Sequence, residues 1–164
     1  MTDPARDEVD DLVDAWGRER PDLDTAPMEV LSRISRLAHH LDRRRAGAFG
    51  ANGLESWEFD VLAALRRSGP PYRLTPGQLV RDTGVTSGTM TNRVDRLAAR
   101  RLVGREEHPN DGRGVLVRLT DQGRETVDAT LADLLAAERA MLDGLAEEDR
   151  AQLVRMLRGL LLSR

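Results

Sequence analysis

The sequence predicts a mainly α chain that carries one small β-hairpin. Three observations lead there. Apolar residues recur at three- and four-residue spacing along most of the chain. Aromatic residues make up only 3%, so the core must be built from Leu, Val and Ala, which favours helices over a β-sandwich. Period-two alternation occurs at a single place, on either side of Pro109-Asn110-Asp111-Gly112.

Residues 5–18 form a first helix, with Val9, Leu12, Val13 and Trp16 at helical spacing, and Arg20-Pro21 ends it. A second runs from about Pro27 to Ala48 on a stripe of Val30, Leu31, Ile34, Leu37, Ala38 and Leu41, and a loop follows from Gly47 to Gly53. Ser56 reads as the cap of a third helix carrying Trp57, Val61, Leu62 and Leu65. Thr75-Pro76 opens a fourth, with Pro at the first helical position, and Gly84 stops it. Thr86 or Ser87 caps a fifth that reaches about Arg101, with Met90, Val94, Leu97 and Ala98 turned inward. Val103 and Arg105, then Val115, Val117 and Leu119, are the hairpin strands. Two further helices carry Val127, Leu131, Leu134 and Leu135, then Leu153, Met156, Leu157 and Leu160. The 164 residues therefore read as one domain, with N-terminal helices in 1–48, a winged helix-turn-helix in 54–120 and C-terminal helices in 123–164.

Composition excludes several classes. There is no Cys, which removes disulfides, thiolate zinc sites and a thiol nucleophile. His39 and His40 are adjacent and point about 100° apart on a helix, so they form no metal pair. No phosphate-binding glycine loop and no nucleophile–base set is found, and the expectation is no catalytic residue, no metal and no cofactor. The acidic start Met1-Thr2-Asp3-Pro4 has no apolar run, and Leu160 to Leu162 is too short to span a bilayer. The expected location is the cytoplasm, without a membrane partner.

The net charge of −3 argues at first against nucleic acid, but its distribution does not. Residues 1–30 hold 10 acidic and 3 basic side chains, while residues 72–120 hold 9 basic and 5 acidic. A basic centre between acidic ends suits a protein that offers only its middle to phosphates. The fifth helix opens with Ser87, Gly88 and Thr89, small enough to let its backbone approach a groove, and Asn92 can pair bidentately with adenine. The candidate major-groove set is Ser87, Thr89, Met90, Asn92 and Arg96, and Arg113 at the hairpin tip is the candidate minor-groove contact. The other reading of the same segments is a helical hairpin in a structural bundle followed by an ordinary surface turn.

These residues resemble the MarR family of winged-helix regulators. The resemblance rests on Gly53-Leu54-Glu55-Ser56-Trp57-Glu58-Phe59-Asp60-Val61-Leu62, on Thr86 to Leu97, and on Arg101-Leu102-Val103. It continues through Asp111-x-Arg113 in the wing and Val117-Arg118-Leu119-Thr120-x-x-Gly123. Many members carry a second Arg where Gly112 stands, which puts one phosphate contact in doubt. The resemblance implies a homodimer with interlocked terminal helices, a palindromic double-stranded operator and release by a ligand. The Leu-rich outer helices agree, because they carry more apolar surface than a lone winged helix needs to cover. Trp16 on an extra first helix, with Asp60, Arg93 and Arg105, is similar to the ligand-responsive set of the urate-responsive and PecS-like subfamily. The chain also resembles its TamR-like, tricarboxylate-sensing branch. The implied effector is a small anionic metabolite, either a tricarboxylate such as citrate or aconitate, or urate or another purine. Read from the residues alone, Trp16 is a core anchor, Asp60 and Arg93 an ion pair, and Arg105 a phosphate contact. The alternative function is a winged-helix protein–protein interaction module without sequence-specific DNA binding.

Overall fold

The computed structural model describes residues 6–108 and 111–163, with residues 108 and 111–113 described by their backbone alone. The chain divides into two compact units, Met1–Arg43 and Arg44–Arg164. In the first, helix α1 (Glu8–Glu19) begins at Asp7, whose carboxylate accepts the Val9 and Asp10 N–H groups while Asp10 accepts the N–H of Asp7. This reciprocal cap satisfies donors that a helix start leaves open. Arg33, on the long helix α2 (Ala26–Ala51), grips both carboxylates at 2.8 and 2.7 Å. The Arg33 hydrogen bonds come first among the causes that bring Asp7 down to about 2.

Helix α2 continues through Gly47 and Gly50 to Ala51, three residues past its expected end. Glycine weakens a helix, yet burial of Ala48 and Phe49 offsets that cost. Phe49 stacks on Phe59 with ring centres 4.9 Å apart. The expected loop thus shortens to the turn before helix α3 (Ser56–Arg67), whose cap is Glu55 and not Ser56, with Glu58 accepting the Glu55 N–H at 2.9 Å. Val61, Leu62 and Leu65 of α3 are sealed from solvent and form the middle of the core.

Strand β1 (Arg73–Leu74), helix α4 (Pro76–Thr83) and helix α5 (Ser87–Ala99) follow. Thr75 and Gln78 cap α4 reciprocally, and Gly84 ends it in the left-handed conformation at φ +67°, which a Cβ would disfavour. Thr86, not Ser87, caps α5 through the Thr89 N–H. Strands β2 (Val103–His108) and β3 (Asp111–Leu119) form the expected antiparallel hairpin, with Val103 opposite Leu119 and Arg105 opposite Val117. The sheet has a third member. β1 pairs with β3, Arg73 opposite Arg118, giving the order β1-β3-β2. Two residues are too short to show a period, so this strand leaves no signal in the sequence.

Helix α6 (Asp121–Leu142) buries Val127, Thr130 and Leu134, the Thr130 hydroxyl donating to the Thr126 carbonyl. Helix α7 (Glu147–Leu162) buries none of its side chains. Among the described residues no helix is long and apolar enough to cross a membrane.

The start of α6 is pinned to the turn that follows α5. Thr120 Oγ1 accepts the Gly123 N–H at 2.9 Å and lies 2.8 Å from the Arg101 carbonyl, while the Thr120 N–H bonds the Leu102 carbonyl. A Cβ at Gly123 would drive into the backbone of Leu102. The spacing Thr120-x-x-Gly123 thus has a physical origin in a capped helix start pressed on a backbone. Gly123→Ala should lower the free energy of unfolding by roughly 1–3 kcal/mol through overpacking. An unchanged midpoint in urea would show that the close approach is not required.

Candidate nucleic-acid interface

Helix α5 has two faces fixed by its period. Met90, Val94 and Leu97, at spacings of four and three, are buried together in the core. On the opposite side Ser87, Gly88, Thr89, Asn92 and Arg96 are exposed. Met90 therefore leaves the candidate groove set. Its relative exposure is 0%, and a side chain sealed beneath its own helix reaches no base edge. Ser87, Thr89, Asn92 and Arg96 remain, presented above a rigid apolar floor. Thr86 and Thr89 hydroxyls lie 2.9 Å apart at the helix start, where backbone donors and the helix dipole favour phosphate oxygens.

Acidic partners hold the arginines around this helix. Arg96 Nη2 donates to Glu55 Oε1 at 2.7 Å, and its guanidinium lies 4.6 Å from the centre of the Trp57 ring. Trp57 Nε1 donates to the other Glu55 oxygen at 2.8 Å. The Trp57 hydrogen bond, and after it Arg96, hold the Glu55 carboxyl below its ordinary value against an opposing desolvation. Arg93 approaches the same ring at 5.5 Å. One turn on from Arg96, Arg100 pairs with Glu58 and donates to the Gly53 carbonyl at 2.8 Å. Glu58 is only 2% exposed, so its charge depends on Arg100 and the Glu55 N–H for compensation. Arg105 on β2 pairs with Asp95 of α5. These pairs tie α5 to the start of α3 on one side and to the β2–β3 wing on the other. Sequence reading missed Glu55, Glu58 and Asp95: the pairs at Glu55 and Glu58 span 41 and 42 positions, and the pair of Asp95 with Arg105 joins a helix to the following strand, so none leaves a helical or strand spacing signal.

Of the four residues singled out for a ligand, all among the described residues, the three in the second unit, Asp60, Arg93 and Arg105, share no hydrogen bond or ion pair with one another. Trp16 is 47% exposed on α1, in the first unit. Asp60 is exposed on α3, and it forms no ion pair with Arg93, which corrects the purely structural alternative for that pair. Arg93 faces Trp57 instead. Arg105 lines a recess of about 330 Å³ with Pro76, Thr91, Val94, Val115 and Val117. Arg113 stands on β3, and its side chain lies outside the described residues. Among the described residues no group of three or more His, Asp or Glu is placed to hold a metal.

A short helix, a left-handed glycine turn, a second helix with one exposed polar face, and a three-stranded wing define a winged helix-turn-helix protein. Comparison with known proteins supplies the family. Residues 52–114 match the model described as the MarR family. Over 150 residues the chain is 37% identical to the HTH-type transcriptional regulator PecS of Dickeya dadantii (strain 3937), covering 92% of this chain and 90% of PecS. Among solved structures it is similar to Sco3205, a MarR family transcriptional regulator from Streptomyces coelicolor determined in complex with DNA. That match has a TM-score of 0.69 at 26% identity and covers 85% of this chain and 92% of Sco3205. It is also similar to BpsR of Bordetella bronchiseptica, whose DNA binding is regulated by 6-hydroxynicotinic acid. Here the TM-score is 0.59 at 27% identity, over 78% of this chain and 98% of BpsR. The chain belongs to the MarR family. It is a DNA-binding transcriptional regulator and not an enzyme.

Proposed function

We propose that the chain acts as a homodimeric repressor that reads a palindromic operator and leaves it when a small anion binds. The observation that carries the reading is the division of α5 into a buried apolar stripe and an exposed face of Ser87, Thr89, Asn92 and Arg96. That face enters the major groove, where hydroxyl, amide and guanidinium groups discriminate base edges. Arg113 enters the adjacent minor groove at the end of the wing, drawn by its negative potential. Arg113→Ala should weaken binding to every duplex and reduce the slope of log affinity against log salt by about one unit. An unaltered slope in fluorescence anisotropy would remove Arg113 from the interface.

Dimerisation is supported by α7, whose Leu153, Val154, Met156, Leu157, Leu160, Leu161 and Leu162 are all exposed. A helix in a protein owes most of its stability to packing of its apolar face, and an apolar patch of this extent calls for a cover. A second copy supplies it by symmetry and sets the two reading helices about 34 Å apart, one turn of DNA. Sedimentation equilibrium should return the mass of two chains. A single-chain mass at micromolar concentration would contradict the assembly.

For the effector, the proposed class is a carboxylate or purine anion, a tricarboxylate such as citrate or aconitate being preferred to urate. Arg105 supports it, because its guanidinium sits at a recess with an apolar floor and is matched to planar anions. An anion there takes Arg105 from Asp95 of α5, and so acts on the reading helix itself. Asp60 and Arg93 belong to the same proposed set, while for Trp16 the support is the family resemblance alone. The regulation of BpsR by 6-hydroxynicotinic acid, itself a small aromatic acid, is in keeping with this class. Arg93→Ala and Arg105→Ala should retain DNA binding and blunt release by citrate, aconitate or urate. A mobility-shift titration in which both variants release as readily as the parent would end the assignment.

A further inference from the structure

Resting on the reading of α5 as the DNA-contacting helix, we propose that Glu55 and Trp57 are specificity-determining residues. They hold Arg96 as a preset reader of a base edge and keep its charge from indiscriminate contact with phosphates. Neither side chain belongs to α5, and neither needs to touch DNA for this role. They are positioning residues.

The geometry is a closed cluster of three side chains. Glu55 uses one oxygen for Arg96, at 2.7 Å, and the other for the Trp57 indole N–H, at 2.8 Å. Trp57 in turn presents its ring 4.6 Å from the Arg96 guanidinium. One edge of the guanidinium is thus fixed by a carboxylate and one face by an aromatic plane, which leaves little rotamer freedom. The support is itself anchored. Trp57 is half-buried against the core, and Glu55 is the cap residue of α3, its N–H held by the buried Glu58.

Arg96 nevertheless remains 53% exposed. Among the described residues its Nε and Nη1 groups take no protein acceptor, so donors are left for a ligand. Five N–H donors in a planar fork allow one edge to be held while another is offered. The cluster opens onto an open recess of about 580 Å³ shared with Gly88, Thr89, Asn92 and Arg93, on the exposed side of α5. A bidentate guanine contact demands a fixed plane, whereas a phosphate contact tolerates many orientations. Holding the plane therefore favours base reading. Keeping a carboxylate beside the guanidinium also disfavours its capture by any passing phosphate, since the two anions repel.

The test uses the full-length protein, a duplex selected in vitro from a random pool by the parent protein, and a scrambled duplex of equal length. Glu55→Ala should weaken binding to the selected duplex by about two- to fivefold, the range an exposed ion pair is worth. Binding to the scrambled duplex should hold or tighten, with a salt slope steeper by about 0.9 per chain as Arg96 finds a phosphate. The specificity ratio falls in consequence. Glu55→Gln, which keeps an acceptor for the indole and the guanidinium, should recover part of the ratio. In an Arg96→Ala background Glu55→Ala should no longer change it.

Equal shifts on both duplexes would overturn the proposal, because simple loss of a negative charge predicts just that. An effect of Glu55→Ala that persists without Arg96 would also overturn it. Failure of the parent protein to retain any duplex at low salt would instead remove the DNA-reading function itself, and the two failures are distinguishable. Circular dichroism melts of both Glu55 variants guard against misfolding, and Trp57→Phe, which keeps the ring face but not the indole N–H, should reproduce part of the loss.

Discussion

Burial of Met90, Val94 and Leu97 beneath α5 constrains what every other part of the molecule can do. Each such side chain is worth roughly 1.5–3 kcal/mol when withdrawn from water, and the three lie on one stripe of the helix. Turning α5 about its own axis would expose all three at once. A good base contact returns only about 1–3 kcal/mol, so no DNA sequence can rotate the helix to suit itself. The exposed face of α5 is therefore fixed by the core, and in the proposed reading recognition depends on which side chains that face carries and how each is aimed.

Electrostatics then aims them. The chain carries a net charge of −3, and Arg96, Arg100 and Arg105 at α5 are held by Glu55, Glu58 and Asp95. Of these pairs only the one at Glu58 involves a buried charge, and there the loss of Arg100 would leave a carboxylate without its compensation. The pairs at Arg96 and Arg105 are half-exposed and contribute about 0–1 kcal/mol each to stability. Their consequence is geometric. They fix side-chain direction on a helix whose own direction the core has already fixed.

Most of the helical frame was legible because its signals are local. Thr75-Pro76, Gly84 and Thr86 act through neighbours within four residues, and the structure uses each of them as a cap or stop. The limits appear where a tertiary contact overrides the local one. Gly47 and Gly50 read as a loop, but Phe49 between them needs the core and carries the helix through. β1 exists only because β3 supplies its partner. The interface follows the same rule. The inner and outer faces of α5 are periodic and could be read, although Met90 was placed on both, and only its burial decides. The partner of Arg96 comes from an element 41 positions away, and that of Arg105 lies across the turn between α5 and β2, so no periodic pattern announces either.

The same division of scales bears on the proposed action of a small anion on DNA binding. An allosteric coupling of 1–3 kcal/mol is too small to unseat the apolar stripe of α5, but it is comparable with the half-exposed pair between Arg105 and Asp95. In the proposed reading, an anion at the Arg105 recess competes with Asp95 and sets two negative groups near one guanidinium, on a strand of the wing and against α5. The proposed response is then a shift of α5 and the wing relative to each other, with the inside of each left intact. Such a shift need only spoil the joint fit of helix and wing to two adjacent grooves. On that proposal the contacts that specify the fold and the contacts that regulate DNA binding are separated by energy, so that one can change without the other.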